Sequence, residues 1–309
     1  MRALVLGGSG FIGSHVTDAL LARDCQVRSL DRILETFRDP LPGVEYITGR
    51  IDDAGQVAEA LHGIDIVFHL VSTTLPETSN DDPVFDVESN LIATLRILDL
   101  CVRKKVGRIV YVSSGGAVYG IPDIVPTPED SPTHPISSYG VTKLAVEKYL
   151  HLYRRLHGLD YVVVRPSNPY GPRQNPDRIQ GAVGVFLGRL LRNQPIRIWG
   201  DGSVTRDYIY VGDLAEGICA AAFGEAEERI FNLGSGAGVS LRELVAVIEK
   251  VTQVPMAVEY TEGRVFDVPR ICLDISRAET ALGWKPRTEL RDGIREAWRF
   301  MQDWAAHQA

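Results

Sequence analysis

The chain has 309 residues, of which 45% are hydrophobic and 24% are charged, and its 40 acidic against 33 basic residues give a formal net charge of −7. This composition is typical of a globular protein with a substantial core and excludes fibrous, disordered and disulfide-stapled chains. The acidic balance argues against a nucleic-acid binder, which needs a basic face, and no apolar run approaches the roughly 20 residues that a bilayer requires.

The first 165 residues alternate short, β-branched runs with longer amphipathic segments. The predicted strands are Arg2–Leu6, Gln26–Leu30, Val44–Thr48, Ile64–His69, Arg108–Ser113 and Tyr161–Arg165, and the predicted helices are Phe11–Ala22, Ala54–His62, Val84–Val102 and Tyr139–Leu156. Strands separated by helices predict βαβ units and a parallel sheet with helices on both faces. The strands are almost entirely apolar, as expected when both faces are covered. We therefore predict an α/β fold of the Rossmann type, with a doubly wound parallel sheet.

After Arg165 the composition of the sequence changes, because proline and glycine are frequent from Pro166 to Gly184. The remainder mixes helices, at about 184–193, 213–223, 240–252 and 290–305, with short strands. We predict a large domain over residues 1–170, with roughly 205–230 added, and a smaller α/β lobe over roughly 171–204 and 231–309. Two long loops, 72–83 and 120–138, are candidates for function rather than mere connection.

A glycine-rich turn joins the first predicted strand to the first helix. It carries GxxGxxG over residues 7–13, that is Gly7, Gly10, Phe11, Ile12 and Gly13 in that order. Glycine permits a tight turn and lets a pyrophosphate approach backbone N–H groups, while the helix N-terminus adds partial positive charge. Such turns also occur for packing alone. The pattern nevertheless predicts a dinucleotide site.

An acidic residue ends the second predicted strand. Asp31 follows Gly13 by 18 residues, at the place where a carboxylate accepts hydrogen bonds from the adenosine ribose. A carboxylate there repels a 2′-phosphate, so the sequence favours NAD over NADP, although the adjacent Arg32 leaves NADP open. A loop-capping role for Asp31 is the alternative.

Tyr139 and Lys143 form a YxxxK pair at the start of a predicted helix. The i, i+4 spacing places both side chains on one face. An ammonium near a phenol favours the phenolate, so we expect the pKa of Tyr139 to be lowered and Tyr139 to act as a general acid and base. The alternative is an ordinary surface pair.

With these motifs the sequence resembles the extended short-chain dehydrogenase/reductase family, and within it the UDP-glucose 4-epimerase-like members of the NAD-dependent epimerase/dehydratase group. The resemblance spans essentially the whole chain. It also includes FHL over 68–70, Asn90, SSGGAVYG over 113–120, RPSNPYGPRQ over 165–174, GDG over 200–202, RDY over 206–208, NLG over 232–234 and LGW over 282–284.

This resemblance implies an NAD-dependent UDP-hexose 4-epimerase that works through a 4-keto sugar, binds no metal and forms a homodimer. It assigns catalysis to Tyr139, Lys143 and Ser114, and cofactor contacts to Asp52, Leu70, Asn90 and Ser113 besides the turn, Asp31, Tyr139 and Lys143. It assigns the substrate diphosphate to Asn168, Arg206 and Arg264. The hexose and its C2 and C6 substituents stay open, and N-acetylated sugars are not excluded.

The segment that carries SSGGAVYG departs from the family pattern. The family's catalytic Ser or Thr falls at Gly115, so the neighbouring Ser114 is expected to take that role, with a water as the alternative. Ala117 stands where dehydratases and decarboxylases carry an acidic residue, which disfavours dehydration. The other hypotheses are an NAD(P)-dependent reductase or dehydrogenase of a nucleotide-linked keto sugar, and a non-catalytic dinucleotide-binding protein.

Cysteine usage bears on the compartment. The four cysteines are scattered and include no CxxC pair, which predicts a reducing environment, the cytoplasm, and no structural metal. The first residues lead directly into a strand-like run with no cleavage site, so we expect no signal peptide.

Overall fold

A computed structural model describes residues 1–175, 181–263 and 268–308. Its centre is a seven-stranded parallel sheet with the order β10-β6-β5-β4-β1-β2-β3. These strands are β1 Arg2–Leu6, β2 Gln26–Asp31, β3 Val44–Thr48, β4 Ile66–His69, β5 Arg108–Val112, β6 Asp160–Pro166 and β10 Ile230–Leu233. The predicted α/β fold and its parallel sheet are confirmed, and the six predicted strands are present with ends within two residues of the prediction.

Helices cover both faces of this sheet. They are α1 Phe11–Leu21, α2 Ala54–Ala60, α3 Pro83–Asp86, α4 Ala93–Arg103, α5 Ser138–His157 and α7 Val211–Phe223, with a π-helical turn over Val87–Ile92 between α3 and α4. Alternate residues of β1 point to opposite faces of the sheet. Ala3 and Val5 pack in the core under α1 and α7, whereas Leu4 and Leu6 pack in the core under α2, α4 and α5.

The remaining elements build a smaller lobe. Its strands are β7 Asn168–Tyr170, β9 Thr205–Tyr210 and β11 Gly238–Ser240 in one sheet, and β8 Ile196–Trp199 with β12 Val258–Thr261 in another. Its helices are α6 Ala182–Leu191, α8 Leu241–Thr252 and α10 Leu290–Gln308, whereas Ala278 of α9 Ser276–Leu282 packs in the core under α1 and α7. A separate core between α6, α8 and α10 includes Phe186, Leu244 and Ile294.

The proposed boundary near residue 230 differs from the sheet topology. β10 pairs in parallel with β6, and Trp284, after α9, packs in the same core as α7. The apolar run Ile230–Leu233 returns the chain from the lobe to the sheet edge, so residues from 231 onwards are shared between the two parts. In the described ranges, no helix combines the length and the apolar character needed to cross a bilayer.

Candidate active site

The glycine-rich turn opens at the carboxyl end of β1. Gly7 has a φ of +87°, and a Cβ atom on Gly13 would lie 2.0 Å from the Gly7 carbonyl oxygen. Helix α1 begins after Gly10, and no side chain caps its first N–H groups. A Cβ atom on Gly10 would contact only the Gly7 oxygen, at 3.2 Å. Phe11 and Ile12 form the first turn of this helix. This cradle fits a pyrophosphate.

Asp31 lies beside this turn at the end of β2. Its Oδ2 accepts a hydrogen bond from the Ser9 N–H at 3.1 Å, and its Oδ1 accepts one from the Arg32 N–H at 2.7 Å. The carboxylate is therefore fixed next to the cradle, as a ribose-binding group requires. Asp52, the other predicted acidic contact, forms an exposed ion pair with Arg50 at 2.6 Å, and the hydrogen bond from that arginine lowers the pKa of Asp52.

The end of β4 reaches the same turn. Leu70 donates its N–H to the Leu6 oxygen at 3.1 Å, and a Cβ on Gly7 would lie 3.1 Å from a Val71 methyl group. Asn90 is buried in the π-helical turn, and its Oδ1 accepts the Thr73 N–H at 2.9 Å. Asn90 thus anchors the start of the 72–83 loop beside the cradle.

Tyr139 and Lys143 occupy the first turns of α5. Ser137 caps this helix by accepting the Gly140 N–H at 3.2 Å. The buried Lys143 Nζ donates to the Val112 oxygen at 2.9 Å and lies 5.6 Å from the centre of the Tyr139 ring. The i, i+4 spacing therefore brings the pair together at the carboxyl end of β5.

The expected lowering of the Tyr139 pKa is wrong for this structure. Burial raises the pKa of Tyr139 to about 12, a hydrogen bond from the Ser114 side chain opposes this rise, and the charge of Asp86 adds to it. Burial also lowers the pKa of Lys143 to about 8, against the raising effects of Asp86 and then Glu147. The pair is a phenol beside a readily deprotonated ammonium.

The two serines after β5 point to different partners. The Ser114 side chain lies beside Tyr139 and opposes the rise in the Tyr139 pKa, and its catalytic role stays a prediction. Ser113 instead donates to Glu147 Oε1 at 2.5 Å, in a buried pair that Glu147 forms with Arg165 at 2.6 Å. The predicted site residues do not include Glu147, and Arg165 enters only as part of the motif over 165–174. Glu147 continues the i, i+4 spacing of Tyr139 and Lys143 along α5, but its buried pairing with Arg165 on β6 depends on tertiary packing.

Gly115 has no room for the side chain that the family carries there. A Cβ at this position would lie 2.6 Å from Leu273 Cδ1 and 3.1 Å from the Arg165 oxygen. Leu273 is fully buried in a small cluster with Val118 and Tyr119. The packing of Leu273 therefore accounts for the glycine at residue 115.

Two of the predicted diphosphate residues, Asn168 and Arg206, lie in the three-stranded sheet of the smaller lobe. Asn168 Nδ2 donates to the main-chain oxygen of Asp207 at 3.0 Å. Arg206 Nη1 donates to the main-chain oxygens of Thr205 and Val268 at 2.9 and 2.7 Å. Asn168 and Arg206 stand on adjacent, paired strands, β7 and β9. Arg264, the third predicted residue, lies outside the described residues.

Comparison with known proteins identifies the family of the chain. A model of the NAD dependent epimerase/dehydratase family matches residues 3–234. A UDP-glucose 4-epimerase of Mycolicibacterium smegmatis is 37% identical over 98% of this chain and 99% of that protein. The UDP-glucose 4-epimerase structure from Thermotoga maritima, with UDP-glucose, has a TM-score of 0.93 at 33% identity, covering 99% of this chain and 100% of that one. The Thermus thermophilus UDP-glucose 4-epimerase, in complex with NAD, has a TM-score of 0.91 at 35% identity, covering 98% and 99%. The chain therefore belongs to the NAD-dependent epimerase/dehydratase family.

Proposed function

We propose that the protein is an NAD-dependent nucleotide-sugar 4-epimerase that interconverts UDP-hexoses through a 4-keto sugar. The observation that carries the proposal is the meeting of Tyr139, Lys143 and Ser114 at the sheet edge where the glycine turn opens. The similarity to UDP-glucose 4-epimerases over nearly the whole chain supports the same reaction.

The residues divide the chemistry as follows. Bound NAD supplies the acceptor, and then the donor, of the hydride at C4 of the sugar. Tyr139 takes the proton of the 4-hydroxyl as the carbonyl forms and gives it back when hydride returns to the opposite face, so that no net oxidation occurs. Ser114 orients the Tyr139 hydroxyl, and Lys143, while protonated, stabilises the phenolate.

The cofactor and the substrate are proposed to occupy different parts of the chain. The turn over 7–13, Asp31 and the ends of β4 and β5, with Leu70, Asn90 and Ser113, belong to the cofactor part. Asn168, Arg206 and Arg264 are proposed for the diphosphate, because amide and guanidinium donors match phosphate oxygens. The exposed ion pair of Asp52 with Arg50 gives no support to an adenine contact, which stays a prediction.

The reaction is tested by incubating the purified protein with UDP-glucose, UDP-galactose, UDP-N-acetylglucosamine and UDP-glucuronate, one at a time and with no cofactor added. We expect at least one pair of C4 epimers to interconvert, and protein denatured afterwards to release NAD. Consumption of NADPH in proportion to product, with no interconversion in its absence, would instead identify a reductase and contradict the proposal.

We also propose a homodimer and a cytoplasmic location. Val84 and Phe85 on α3, and Val141, Leu152 and Leu156 on α5, are between 41 and 67% exposed, and those on α5 recur at helical spacing on one face. A second copy of this chain would cover that face. All four cysteines are buried and unpaired, which supports a reducing compartment.

A further inference from the structure

A buried carboxylate holds the start of the helix that carries the acid–base pair. Asp86, at the end of α3, is 0% exposed. Its Oδ2 accepts hydrogen bonds from the hydroxyls of Ser138 and Thr142 at 2.8 and 2.7 Å, and its Oδ1 accepts one from Asn90 Nδ2 at 3.0 Å and another from the Thr74 hydroxyl. Four donors thus satisfy a carboxylate that no basic side chain of the described ranges pairs with.

The two donors from α5 flank the acid–base pair. Ser138 directly precedes Tyr139, and Thr142 directly precedes Lys143, so Asp86 contacts the turn on which both depend. The loop ahead of α3 caps the same turn, because Ser79 Oγ accepts the Tyr139 N–H at 3.0 Å. Displacing Asp86 would therefore displace this turn.

The backbone beside Asp86 is unusual. The chain continues from Asp86 into the π-helical turn Val87–Ile92, a geometry that is rare and concentrated at functional sites. Within that turn Asn90 Nδ2 donates to both the carboxylate and the main-chain oxygen of Asp86, while its Oδ1 holds Thr73. The turn thus presents Asn90 to Asp86 and to the loop at the same time.

The groups around Lys143 come from four elements. His69 on β4 is neutral, because burial and then the charge of Lys143 lower its pKa to about 3, and Tyr111 on β5 is neutral, because burial raises its pKa well above the usual value. Glu147 on α5 carries a charge that Arg165 compensates in their buried pair. On α3, the Asp86 carboxylate forms no ion pair with any described residue and accepts its hydrogen bonds from hydroxyl and amide groups.

We propose that Asp86 is a positioning residue for the reaction, which fixes the first turns of α5 through Ser138 and Thr142 and whose charge keeps Lys143 an ammonium beside Tyr139. The role rests on the proposed function, in which Lys143 and Tyr139 are the acid–base pair. Burial alone favours a neutral Lys143. Asp86 and Glu147 oppose this effect, and Asp86 has the larger influence of the two.

The test is a titration of the purified protein, with its lysines labelled at 13Cε and followed by NMR, in which Lys143→Met assigns the Lys143 signal. In Asp86→Asn we expect the Lys143 midpoint to fall by about one pH unit, because a nearby negative charge is lost. Thr142→Val is the matched control: it removes one hydrogen bond to the same carboxylate but keeps the charge, so its midpoint should stay within about 0.3 units of wild type.

An unchanged midpoint in Asp86→Asn, or an equal fall in Thr142→Val, would overturn the role of Asp86. If Asp86→Asn does not fold, Asp86→Ser removes the charge while leaving space for a water among the four donors, and the same fall is expected. Activity separates the two proposals. If the wild type does not epimerise UDP-sugars, the proposed function is refuted, and the Lys143 titration still decides the role of Asp86. If the wild type epimerises normally but the Lys143 midpoint in Asp86→Asn is unchanged, only the role of Asp86 is refuted.

Discussion

At the scale of single residues, the hydroxyl of Tyr139 is subject to opposing effects. Burial makes its ionisation unfavourable and raises the pKa to about 12, while the hydrogen bond from Ser114 favours the phenolate. A phenol held in this way stays protonated at neutral pH until positive charge in the pocket, Lys143 included, stabilises the anion. Tyr139 must be a phenolate to take the proton of the 4-hydroxyl, so the reaction requires the positive charge that stabilises this anion.

Replacing Tyr139 with Phe should remove the acid–base group while keeping the ring. We expect the rate of UDP-sugar epimerisation to fall at least about 100-fold, the usual scale for a positioned proton-transfer group. Tyr149→Phe, which removes an exposed hydroxyl from the same helix, is the control and should leave the rate within about two-fold of wild type. Comparable rates for Tyr139→Phe and wild type would refute the assignment.

At the scale of elements, the loop after β5 is shaped by a segment far along the chain. Gly115 lies against Leu273, whereas a Cβ on the adjacent Gly116 would meet nothing within 4 Å, and neither glycine has a positive φ. Gly115→Ala should therefore lower the free energy of unfolding by about 1–3 kcal/mol through overpacking. Gly116→Ala should change it by no more than about 0.5 kcal/mol.

Chemical denaturation of the two variants checks this expectation. Because the substitutions are identical and adjacent in sequence, their effects on the unfolded chain nearly cancel, and the difference reports the contact with Leu273. Equal unfolding free energies for the two variants would show that Leu273 yields without cost, and that the missing family side chain needs another explanation.

The elements differ in how far the sequence predicts them. β1, β4 and β5 are short, apolar runs covered on both faces, so composition alone locates them to within two residues. β10 is also mostly apolar, but it pairs with β6 across an intervening chain that forms part of the smaller lobe, so its position in the sheet is not visible in the sequence. The π-helical turn over Val87–Ile92 lies inside a pattern that predicts one uninterrupted helix, because periodicity over a long window does not detect one added residue.

The site shows the same division. The glycine turn and the YxxxK pair are set by spacings of three and four residues, so they are visible in sequence. Asp86 reaches the first turns of α5 only through tertiary packing, and an acidic residue on a predicted helix is ordinarily taken as solvated. Glu147 continues the i, i+4 spacing of Tyr139 and Lys143, but its buried pairing with Arg165 also depends on tertiary packing. The predicted direction of the Tyr139 pKa is wrong for the same reason, since burial, which raises this pKa, also depends on tertiary packing.

At the scale of the whole molecule, a buried polar network joins the sheet to the smaller lobe. Arg165 on β6 pairs with Glu147 and donates to the Tyr119 hydroxyl at 2.9 Å, which in turn donates to Asn232 Oδ1 at 2.7 Å on β10. Asn232 Nδ2 donates to the oxygen of Asp274 at 3.1 Å, just before α9. The lobe is thus anchored to the same strands and helix that hold Lys143.

The outer face of α5 carries the last prediction, which concerns assembly. Light scattering after size-exclusion chromatography should give twice the chain mass for the wild type. Leu152→Glu should give the chain mass, because a two-fold axis places the new carboxylate in the interface twice and each unpaired buried charge costs at least about 2–3 kcal/mol.

Val254→Glu is the matched control, because Val254 follows α8 and is 38% exposed, close to the 41% of Leu152, but lies outside that face. It should remain a dimer. A wild-type chain that elutes as a monomer would leave the apolar side chains of α3 and α5 without the proposed partner. A Leu152→Glu variant that stays dimeric would move the interface to another face of the molecule.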